Sequence, residues 1–362
     1  MTNQPSITIE ARPPRPQTMN LKELSNLLGL SQTTVSRALN GYPEVRESTR
    51  QRVVQLAAEH NYRPNIRATG LATGKAMTIG HVLPVRSKNE VVNPIFGEFI
   101  AGASQIYTAN GYELLLTIAN DIDEAATYRN IAAKASVDGV IVHSPNKDDD
   151  RISLLQEIGL PFVIHGRVTD CKADYSWIDV NNRRAFQSAT KLLIDLGHRR
   201  IALINGMETM NFAWLRQQGY MEALRAAALP IDTDIIKSDE LTESQGYYSV
   251  KSLLAMRNPP TAFLVSSYIT ALGVRRAISR AGLRMGEDIS VIIHDDELSY
   301  FHNNDAEPQF TATRSSVRQA GIKAAQMLLD IIDDPSCAPR SELLEAQLTI
   351  GASTGPCKTK GN

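Results

Sequence analysis

From residue 77 onward, short apolar segments alternate with longer amphipathic segments, and this alternation constrains the fold most strongly. Because strands joined by crossover helices pair in the same direction, the pattern predicts parallel sheets in an α/β fold. The number of strands indicates two sheets and therefore two lobes. Strands are predicted at 78–83, 113–118, 139–143, 162–165, 201–205, 262–266 and 290–294, and helices at 95–110, 123–135, 182–196, 214–227, 244–256, 268–281 and 317–332.

The order of these segments also predicts where the chain passes between the lobes. Crossovers are expected near residues 177–180, 308–313 and 335–342, within a core that spans 76–357. In paired α/β lobes a small ligand lies in the cleft, at the carboxyl ends of the strands. The residues directly after each strand are therefore candidates for ligand contact.

The composition excludes several classes of protein. Hydrophobic residues make up 43% of the 362 residues, enough for a core, but no apolar run approaches the roughly 18 residues of a membrane helix. Residues 1–18 contain four prolines and no apolar run, so we expect a disordered extension rather than a secretory signal, with Met19 as a candidate start. The widely spaced Cys171, Cys337 and Cys357 suit a reducing cytoplasm and indicate neither a disulfide framework nor a zinc site.

The charge of the chain is unevenly distributed. Residues 19–75 contain eight basic and four acidic side chains, whereas the residues after them carry a net charge of −6. A basic module on an acidic body is typical of a nucleic-acid-binding protein with a separate regulatory domain. Chance clustering is the alternative explanation of the same charges.

Residues 19–63 are predicted to form a helix-turn-helix domain. Asn20 and Glu23 have the spacing of a capping box, and leucines at helical spacing follow them. Gly29 is expected to end this first helix, and Ser31 to cap the second. Two short helices joined by a glycine-containing turn are typical of this motif. The second and third helices are predicted at 32–39 and 47–60.

The second helix leaves a polar face outward. Gln32 and Arg37 have side chains that read adenine and guanine in the major groove, and the hydroxyls of Thr33 and Ser36 suit base edges and phosphates. The alternative is an ordinary solvated helix face, which short polar residues serve equally well.

The region 19–75 as a whole resembles the lac repressor family of bacterial regulators. In that family, residues at the places of Gln32, Thr33 and Arg37 read the operator, and those at Thr34 and Ser36 contact phosphate. The resemblance therefore implies a palindromic double-stranded DNA operator read by a homodimer. It is carried by the strings LKELSNLLGLSQTTVSRALNG, VRESTRQRV, NYRPN and LATGK.

Residues 64–75 correspond to the hinge of this family. Asn65 is a candidate helix cap, and the small Ala68 permits close approach of a second chain. Leu71 stands where the family pushes a leucine into the minor groove, and such apolar wedges kink the duplex. The resemblance thus implies a hinge helix that is ordered only on DNA, and a plain flexible linker is the alternative.

The core resembles the periplasmic sugar-binding architecture used by the same family, through the strings LGHRRIALI and GLRMGEDISVIIHDD. Arg216 and Gly219 match an Arg-x-x-Gly motif whose arginine binds ligand hydroxyls, and a forked guanidinium suits such groups. Asp295 matches an effector-binding aspartate, with Asp296 as the alternative because the register between the two is open.

Five further residues are expected in the cleft from their positions alone, each with a structural role as the alternative. The chain departs from the family at three places, so different effector contacts are expected: Ser267 begins a Ser-Tyr pair in place of Asn-Asp, Gly166 replaces an acidic sugar contact, and Ile293-His294 replaces a Gly-aromatic pair. The five residues are Asn93, Phe96, His165, Arg167 and Ser267.

The predicted function is a cytoplasmic, nucleoid-associated transcriptional repressor induced by a small carbohydrate. The strings NGYPEVRE, LATGKAM and TIGHVLPV resemble repressors of alpha-glucoside uptake and breakdown, which suggests an alpha-glucoside or glucose as effector. A corepressor-dependent regulator that senses a non-sugar metabolite is the alternative. The polar end of the chain lacks a leucine-heptad tail, so a dimer is favoured over a tetramer.

Other classes are less compatible with the sequence. No P-loop, nucleophile elbow or zinc-protease motif is found, so we predict no enzyme, no cofactor and no metal site. A transport binding protein would need a signal peptide and no headpiece. A purely architectural DNA binder would not need a large α/β core.

Overall fold

The computed structural model describes residues 19–39, 41–62, 74–85, 93–120, 124–303 and 307–358. The chain divides into two compact units, Met1–Ala76 and Met77–Asn362. The predictions for the extension 1–18 and for hinge residues Asn65, Ala68 and Leu71 lie outside the described residues. No described helix is long and apolar enough to cross a membrane.

The first unit is a bundle of three helices. The capping box is present as predicted, since the Asn20 side chain accepts a hydrogen bond from the Glu23 amide and the Glu23 carboxylate accepts one from the Asn20 amide, both at 3.0 Å. Gly29 ends the first helix with φ 65°, a left-handed conformation that favours glycine. The helices are α1 (Leu21–Leu28), α2 (Gln32–Leu39) and α3 (Glu47–Glu59).

One apolar side chain from each helix meets at the centre of this bundle. Leu24 of α1, Val35 of α2 and Val53 of α3 are all fully buried. Burial of a side chain of this size contributes about 1.5–3 kcal/mol. The core therefore fixes α2 with its opposite, polar face outward.

The second unit alternates strands and helices, as the sequence predicts. The strands are β1 (Thr78–Val85), β2 (Glu113–Asn120), β3 (Gly139–His143), β4 (Phe162–His165), β5 (Trp177–Val180), β6 (Ile201–Asn205), β7 (Ile236–Ser238), β8 (Ala262–Val265), β9 (Ser290–Asp295), β10 (Thr311–Arg314), β11 (Ser341–Leu344) and β12 (Gln347–Thr349). The helices are α4 (Pro94–Ala109), α5 (Glu124–Ala133), α6 (Arg151–Glu157), α7 (Asn182–Asp195), α8 (Asn211–Ala226), α9 (Glu243–Leu254), α10 (Tyr268–Arg280) and α11 (Val317–Asp333), with a 3₁₀ turn at Thr233–Ile235.

These strands form two sheets, which define two lobes. The first sheet has the order β11-β5-β4-β3-β1-β2 and is parallel throughout. The second has the order β12-β10-β9-β8-β6-β7 and is parallel except for β12. Apolar clusters lie on both faces of each sheet, as expected for strands covered by helices.

The chain changes sheet after Val180, after Arg314 and after Leu344, a few residues beyond two of the predicted crossovers. The sequence analysis did not predict strands β5, β7, β10, β11 and β12 or helix α6, and it treated the residues of β5 only as a crossover. Strands β7, β11 and β12 are three or four residues long and half-exposed at sheet edges, so they lack the apolar run that identifies a buried strand. Strand β10 is buried, but its residues are largely threonine and alanine, so it also lacks a strongly apolar run.

Candidate functional site

A cavity of about 170 Å³ lies between the two lobes, and residues of both lobes line it. Its walls are the loops that follow β3, β4, β6, β7, β8 and β9, so the cavity is at the carboxyl ends of both sheets, as expected for open α/β sheets. Of the predicted effector residues, the cavity brings together Asn93, Phe96, His165, Arg167, Arg216 and Ser267.

Arg216 of α8 is buried in the wall of this cavity. Its Nε donates to Asn182 Oδ1 at 2.7 Å and its Nη1 to the Ser266 carbonyl at 2.6 Å. The guanidinium also lies over the rings of Phe186 and Phe212, at 5.1 and 4.9 Å from their centroids. Nη2 has no hydrogen-bond partner among the described residues, so one face of the fork is available to a ligand.

The close packing of α7 and α8 places this arginine. A Cβ at Gly219 would collide with the carbonyl oxygen of Arg183, so only glycine permits this helix crossing. The crossing brings Asn182, the first residue of α7, within reach of Arg216. The glycine of the Arg-x-x-Gly motif therefore has a packing role that positions the arginine.

Asp179 is a buried carboxylate in the same cavity that the sequence analysis missed. Its Oδ1 accepts hydrogen bonds from the Val180 amide at 2.8 Å and from Asn182 Nδ2 at 3.2 Å, and its Oδ2 lies 3.1 Å from Arg167 Nε. Burial raises the pKa of Asp179 to about 6, although Arg167 and Arg216 oppose the shift. Asn182 thus links this carboxylate to the Arg216 guanidinium.

Asp296, rather than Asp295, lines the cavity. Asp295 is the last residue of β9, and its carboxylate lies 3.7 Å from Arg314, outside the lining. Asp296 lies 3.3 Å from His294 Nε2, and successive residues at the end of a strand point to opposite sides. Burial disfavours ionisation of Asp296, but His294 and Arg216 outweigh it and lower the pKa of this carboxyl.

Two of the predicted contact residues cap helices whose N-termini open into the cavity. Asn93 accepts a hydrogen bond from the Ile95 amide at 3.1 Å, and Ser267 accepts one from the Ile269 amide at 3.2 Å. Both polar side chains therefore have a structural role beside any ligand contact. Apolar side chains complete the wall: Ile95, Phe96, Met207, Met210, Phe212, Leu241 and Val317.

His165, half-buried at the end of β4, belongs to a row with two fully buried histidines. His81 Nδ1 lies 3.0 Å from His143 Nε2, and His143 Nδ1 lies 3.4 Å from His165 Nδ1. His81 Nε2 lies 3.0 Å from the hydroxyl of Tyr107 on α4. Of these four side chains, only His165 lines the cavity.

The two lobes contact each other beside the cavity. Asn211, the first residue of α8, donates through its side chain to the Arg167 carbonyl at 2.6 Å and accepts from the Thr169 hydroxyl at 2.9 Å. On another side, Glu98 of α4 accepts from the amide and the hydroxyl of Ser299, both at 2.9 Å. Because these hydrogen bonds join the two lobes, a change in the spacing of the lobes would break them.

The predicted DNA-reading residues lie on the outward face of α2. Gln32, Thr33 and Arg37 are exposed, whereas Thr34 and Ser36 are half-buried. The Thr34 amide donates to Ser31 Oγ at 3.1 Å, so Ser31 caps α2 as predicted. Gln32 and Thr33 are in the first turn of α2 and Arg37 is in its last turn, and exposed side chains on a helix held on its other face suit insertion into a major groove.

In the described part of the chain, no group of three or more His, Cys, Asp or Glu side chains is arranged to hold a metal ion. The sequence analysis did not single out Asp179 and Asn182 in the cavity. Asp179 lies within the predicted crossover at 177–180 and Asn182 lies two residues after it, and a polar pair at a crossover between lobes is the signal that would have identified them.

Comparisons with known proteins agree with this architecture. Residues 20–65 match the family described as bacterial regulatory proteins, lacI family, and residues 190–354 match a periplasmic binding protein-like domain. The HTH-type transcriptional regulator AglR of Rhizobium meliloti (strain 1021) is 44% identical over 338 residues, which cover 93% of this chain and 95% of that protein. The HTH-type transcriptional regulator CelR of Thermobifida fusca is 29% identical, over 92% of this chain and 97% of CelR.

Solved structures show the same fold. A complex of the transcriptional regulator CelR with cellobiose has a TM-score of 0.69 at 27% identity and covers 92% of this chain and 99% of its own. The lac repressor dimer bound to operator has a TM-score of 0.79 at 24% identity, covers 94% of this chain and 100% of its own, and supports the fold alone.

A helix-turn-helix unit and a two-lobed core with a central cavity define a DNA-binding transcriptional regulator. The chain belongs to the lacI family of bacterial regulatory proteins. Its relatives are named as transcriptional regulators, not as enzymes, which agrees with the prediction from the sequence.

Proposed function

We propose that this protein is a transcriptional repressor whose operator affinity falls when a sugar, an alpha-glucoside or glucose derived from one, binds between its lobes. The observation that carries the proposal is the buried Arg216 fork, which lies in one cavity with the carboxylates of Asp179 and Asp296. The resemblance of the headpiece and of β1 to repressors of alpha-glucoside use supports the choice of sugar.

The chemistry of the cavity suits a polyhydroxylated ring. Carboxylates accept hydrogen bonds from hydroxyls, and a guanidinium donates two parallel ones to neighbouring oxygens. The apolar side chains Phe96, Phe212 and Met210 suit the C–H faces of the same ring.

The proposed response is induction. A ligand that binds the closed lobes more tightly than the open ones shifts the population, and the shift lowers operator affinity only if the favoured state binds DNA poorly. Corepression by a non-sugar metabolite is the alternative, and it predicts that the ligand strengthens operator binding.

The repressor is proposed to act as a homodimer in the cytoplasm, where its operator lies. One headpiece reads one half-site, so a palindromic operator needs two. A surface suited to pairing lies on the edge strand β2, where Leu114, Leu116 and Ile118 are 37%, 46% and 53% exposed. Exposed apolar residues on an edge strand are typical of an interface.

Replacing Arg37 by alanine is expected to weaken operator binding by about 5- to 150-fold, the loss of about 1–3 kcal/mol for a bidentate base contact. Arg37→Lys is the matched control, because it keeps the charge but loses the fork. Both variants are measured by operator titration at fixed salt beside unrelated DNA. Equal losses on operator and unrelated DNA for Arg37→Ala would contradict a base-reading role.

The pH dependence of stability tests the environment of Asp179. Because its pKa is raised to about 6 in the folded protein, the native state holds more protons than the unfolded state between about pH 4 and 6, and stability falls as pH rises through this window. Asp179→Asn should remove this component, which is about 3 kcal/mol at most. The free energy of unfolding of both proteins is measured by denaturation from pH 4 to 7. If the difference between the two free energies does not change with pH across that range, the raised pKa of Asp179 is refuted.

The proposed function is tested by the shift of the purified protein on its own upstream DNA, with sucrose, maltose, trehalose and glucose each added at fixed salt. Release of the operator by an alpha-glucoside is the expected result. Tightening by a ligand would overturn induction, and binding that responds to no sugar would overturn the effector class.

A further inference from the structure

Tyr107, His81, His143 and His165 form one hydrogen-bonded row that ends in the effector cavity. The three histidines lie on neighbouring strands in the order β1, β3, β4, with distances of 3.0 and 3.4 Å between their ring nitrogens. Tyr107 on α4 closes the inner end, with its hydroxyl 3.0 Å from His81 Nε2. The row uses both ring nitrogens of His81 and His143, and leaves Nε2 of His165 for a ligand.

The surroundings of the three rings favour their neutral form at neutral pH. His81 and His143 are fully buried, and the ring of Phe99 contacts the three imidazoles at centroid distances between 4.3 and 6.1 Å. Burial lowers the pKa of His81 to about 3 and of His165 to about 4, and it holds the pKa of His143 well below its usual value. A neutral imidazole carries one proton, so each ring donates through one nitrogen and accepts through the other.

Because each ring has one donor nitrogen and one acceptor nitrogen, the four side chains can form all three hydrogen bonds in only two ways. In the first, Tyr107 donates to His81, His81 donates through Nδ1 to His143, and His143 donates through Nδ1 to His165. In the second, every bond is reversed, and His81 donates through Nε2 to the tyrosine oxygen. The first state leaves His165 with its proton on Nε2, whereas the second puts that proton on Nδ1.

Tyr107 decides between the two states. Its side chain is 1% exposed, and His81 is the one hydrogen-bond partner of its hydroxyl among the described residues. In the reversed state this buried O–H would lose its acceptor, at a cost of about 1–3 kcal/mol. The first state pairs every donor in the row except the Nε2–H of His165, which is at the cavity end.

We propose that Tyr107, His81 and His143 are positioning residues that hold His165 as an N–H donor, so that the site selects an effector with a hydrogen-bond acceptor at the atom facing this ring. The inference rests on the proposed function for the nature of the effector. The direction of the row belongs to the protein alone and is present before any ligand binds.

The direction is read directly from the ring nitrogens of the full-length protein. With seven histidines in the chain, selective ¹⁵N-histidine labelling gives at most seven pairs of ring signals at neutral pH. The expected result is protonated Nδ1 in His81 and His143 and protonated Nε2 in His165. The opposite tautomer in all three would overturn the proposal, and so would a mixture in His165.

Tyr107→Phe tests whether the hydroxyl sets the row. Removing it should convert His165, three hydrogen bonds away, to a mixture of tautomers. Tyr128→Phe is the matched control, because Tyr128 is a fully buried tyrosine of the same lobe in a different apolar cluster, and it should leave the His165 signals unchanged. A Tyr107→Phe effect confined to His81 would show that the rings are independent and would overturn the row.

Sugar analogues test the consequence for binding. At the sugar-ring position that faces His165, a fluoro analogue keeps a hydrogen-bond acceptor, whereas a deoxy analogue has none. The deoxy analogue should therefore bind about tenfold more weakly than the fluoro analogue. Tyr107→Phe should reduce this difference. If the fluoro and deoxy analogues bind equally at every ring position, the donor role of His165 is overturned. If no unmodified sugar binds although the predicted tautomers are present, the proposed effector is overturned instead.

Discussion

Arg216→Ala is expected to weaken effector binding by about 100-fold while operator binding without effector stays within about threefold of the wild type. The reason is that Asn182 and the Ser266 carbonyl hold the guanidinium in place and leave one face to the ligand. A charge-assisted hydrogen bond contributes about 1.5–3 kcal/mol, so the loss of one strong bond accounts for a change of about 100-fold. The cavity is far along the chain from α2, so the DNA-reading surface is not changed directly.

Arg216→Lys separates the fork from the charge. A lysine ammonium cannot replace both Nε and Nη1, so its partners lose at least one hydrogen bond, and we expect a loss of about tenfold or more in effector affinity. Arg225→Ala is the matched control, because Arg225 lies exposed on the same helix, α8. Calorimetric titration with the inducing sugar measures all three, and wild-type affinity in Arg216→Ala would remove Arg216 from the effector site.

Leu116→Asp is expected to dissociate the proposed dimer and to lower operator affinity by about 1000-fold. Leu116 is at the centre of the exposed apolar row on β2, so a carboxylate there would be buried without a partner in the interface. A monomer presents one headpiece to one half-site and loses the gain from linking two binding events. Light scattering coupled to gel filtration gives the mass, and an operator titration gives the affinity.

Leu348→Asp is the control for this change. Leu348 is 41% exposed on β12, the edge strand of the other sheet, so the two substitutions are matched in residue type, exposure and strand position. The control should remain dimeric and bind the operator normally. A dimeric Leu116→Asp with normal operator affinity would show that the dimer forms elsewhere.

The headpiece illustrates how much local sequence decides. The capping box at Asn20 and Glu23, the left-handed Gly29 and the Ser31 cap all involve residues within four positions of each other, and each was predicted correctly. Local hydrogen bonds of this kind depend on residue type and spacing alone. For the same reason the bounds of α1, α2 and α3 agree closely with the sequence pattern.

The effector site depends on contacts that spacing does not reveal. Arg216 was identified through its motif, but its partner Asn182 is 34 positions away and comes within reach because Gly219 permits the close crossing of α7 and α8. The choice between Asp295 and Asp296 depended on where β9 ends, since one residue of register reverses the side to which a side chain points.

The amino-acid sequence by itself determined the alternation of strands and helices, the three helices of the headpiece and the outward polar face of α2, because each follows from periodicity and local capping. Only the tertiary structure decided that Tyr107 and three histidines lie in one row, and that Asp179 and Asp296 line one cavity. His81 and His143 are 62 positions apart, and they meet because the parallel register of β1 and β3 places them on the same face of one sheet. Strand order and register are set by the packing of the whole lobe, so no local pattern predicts such a contact.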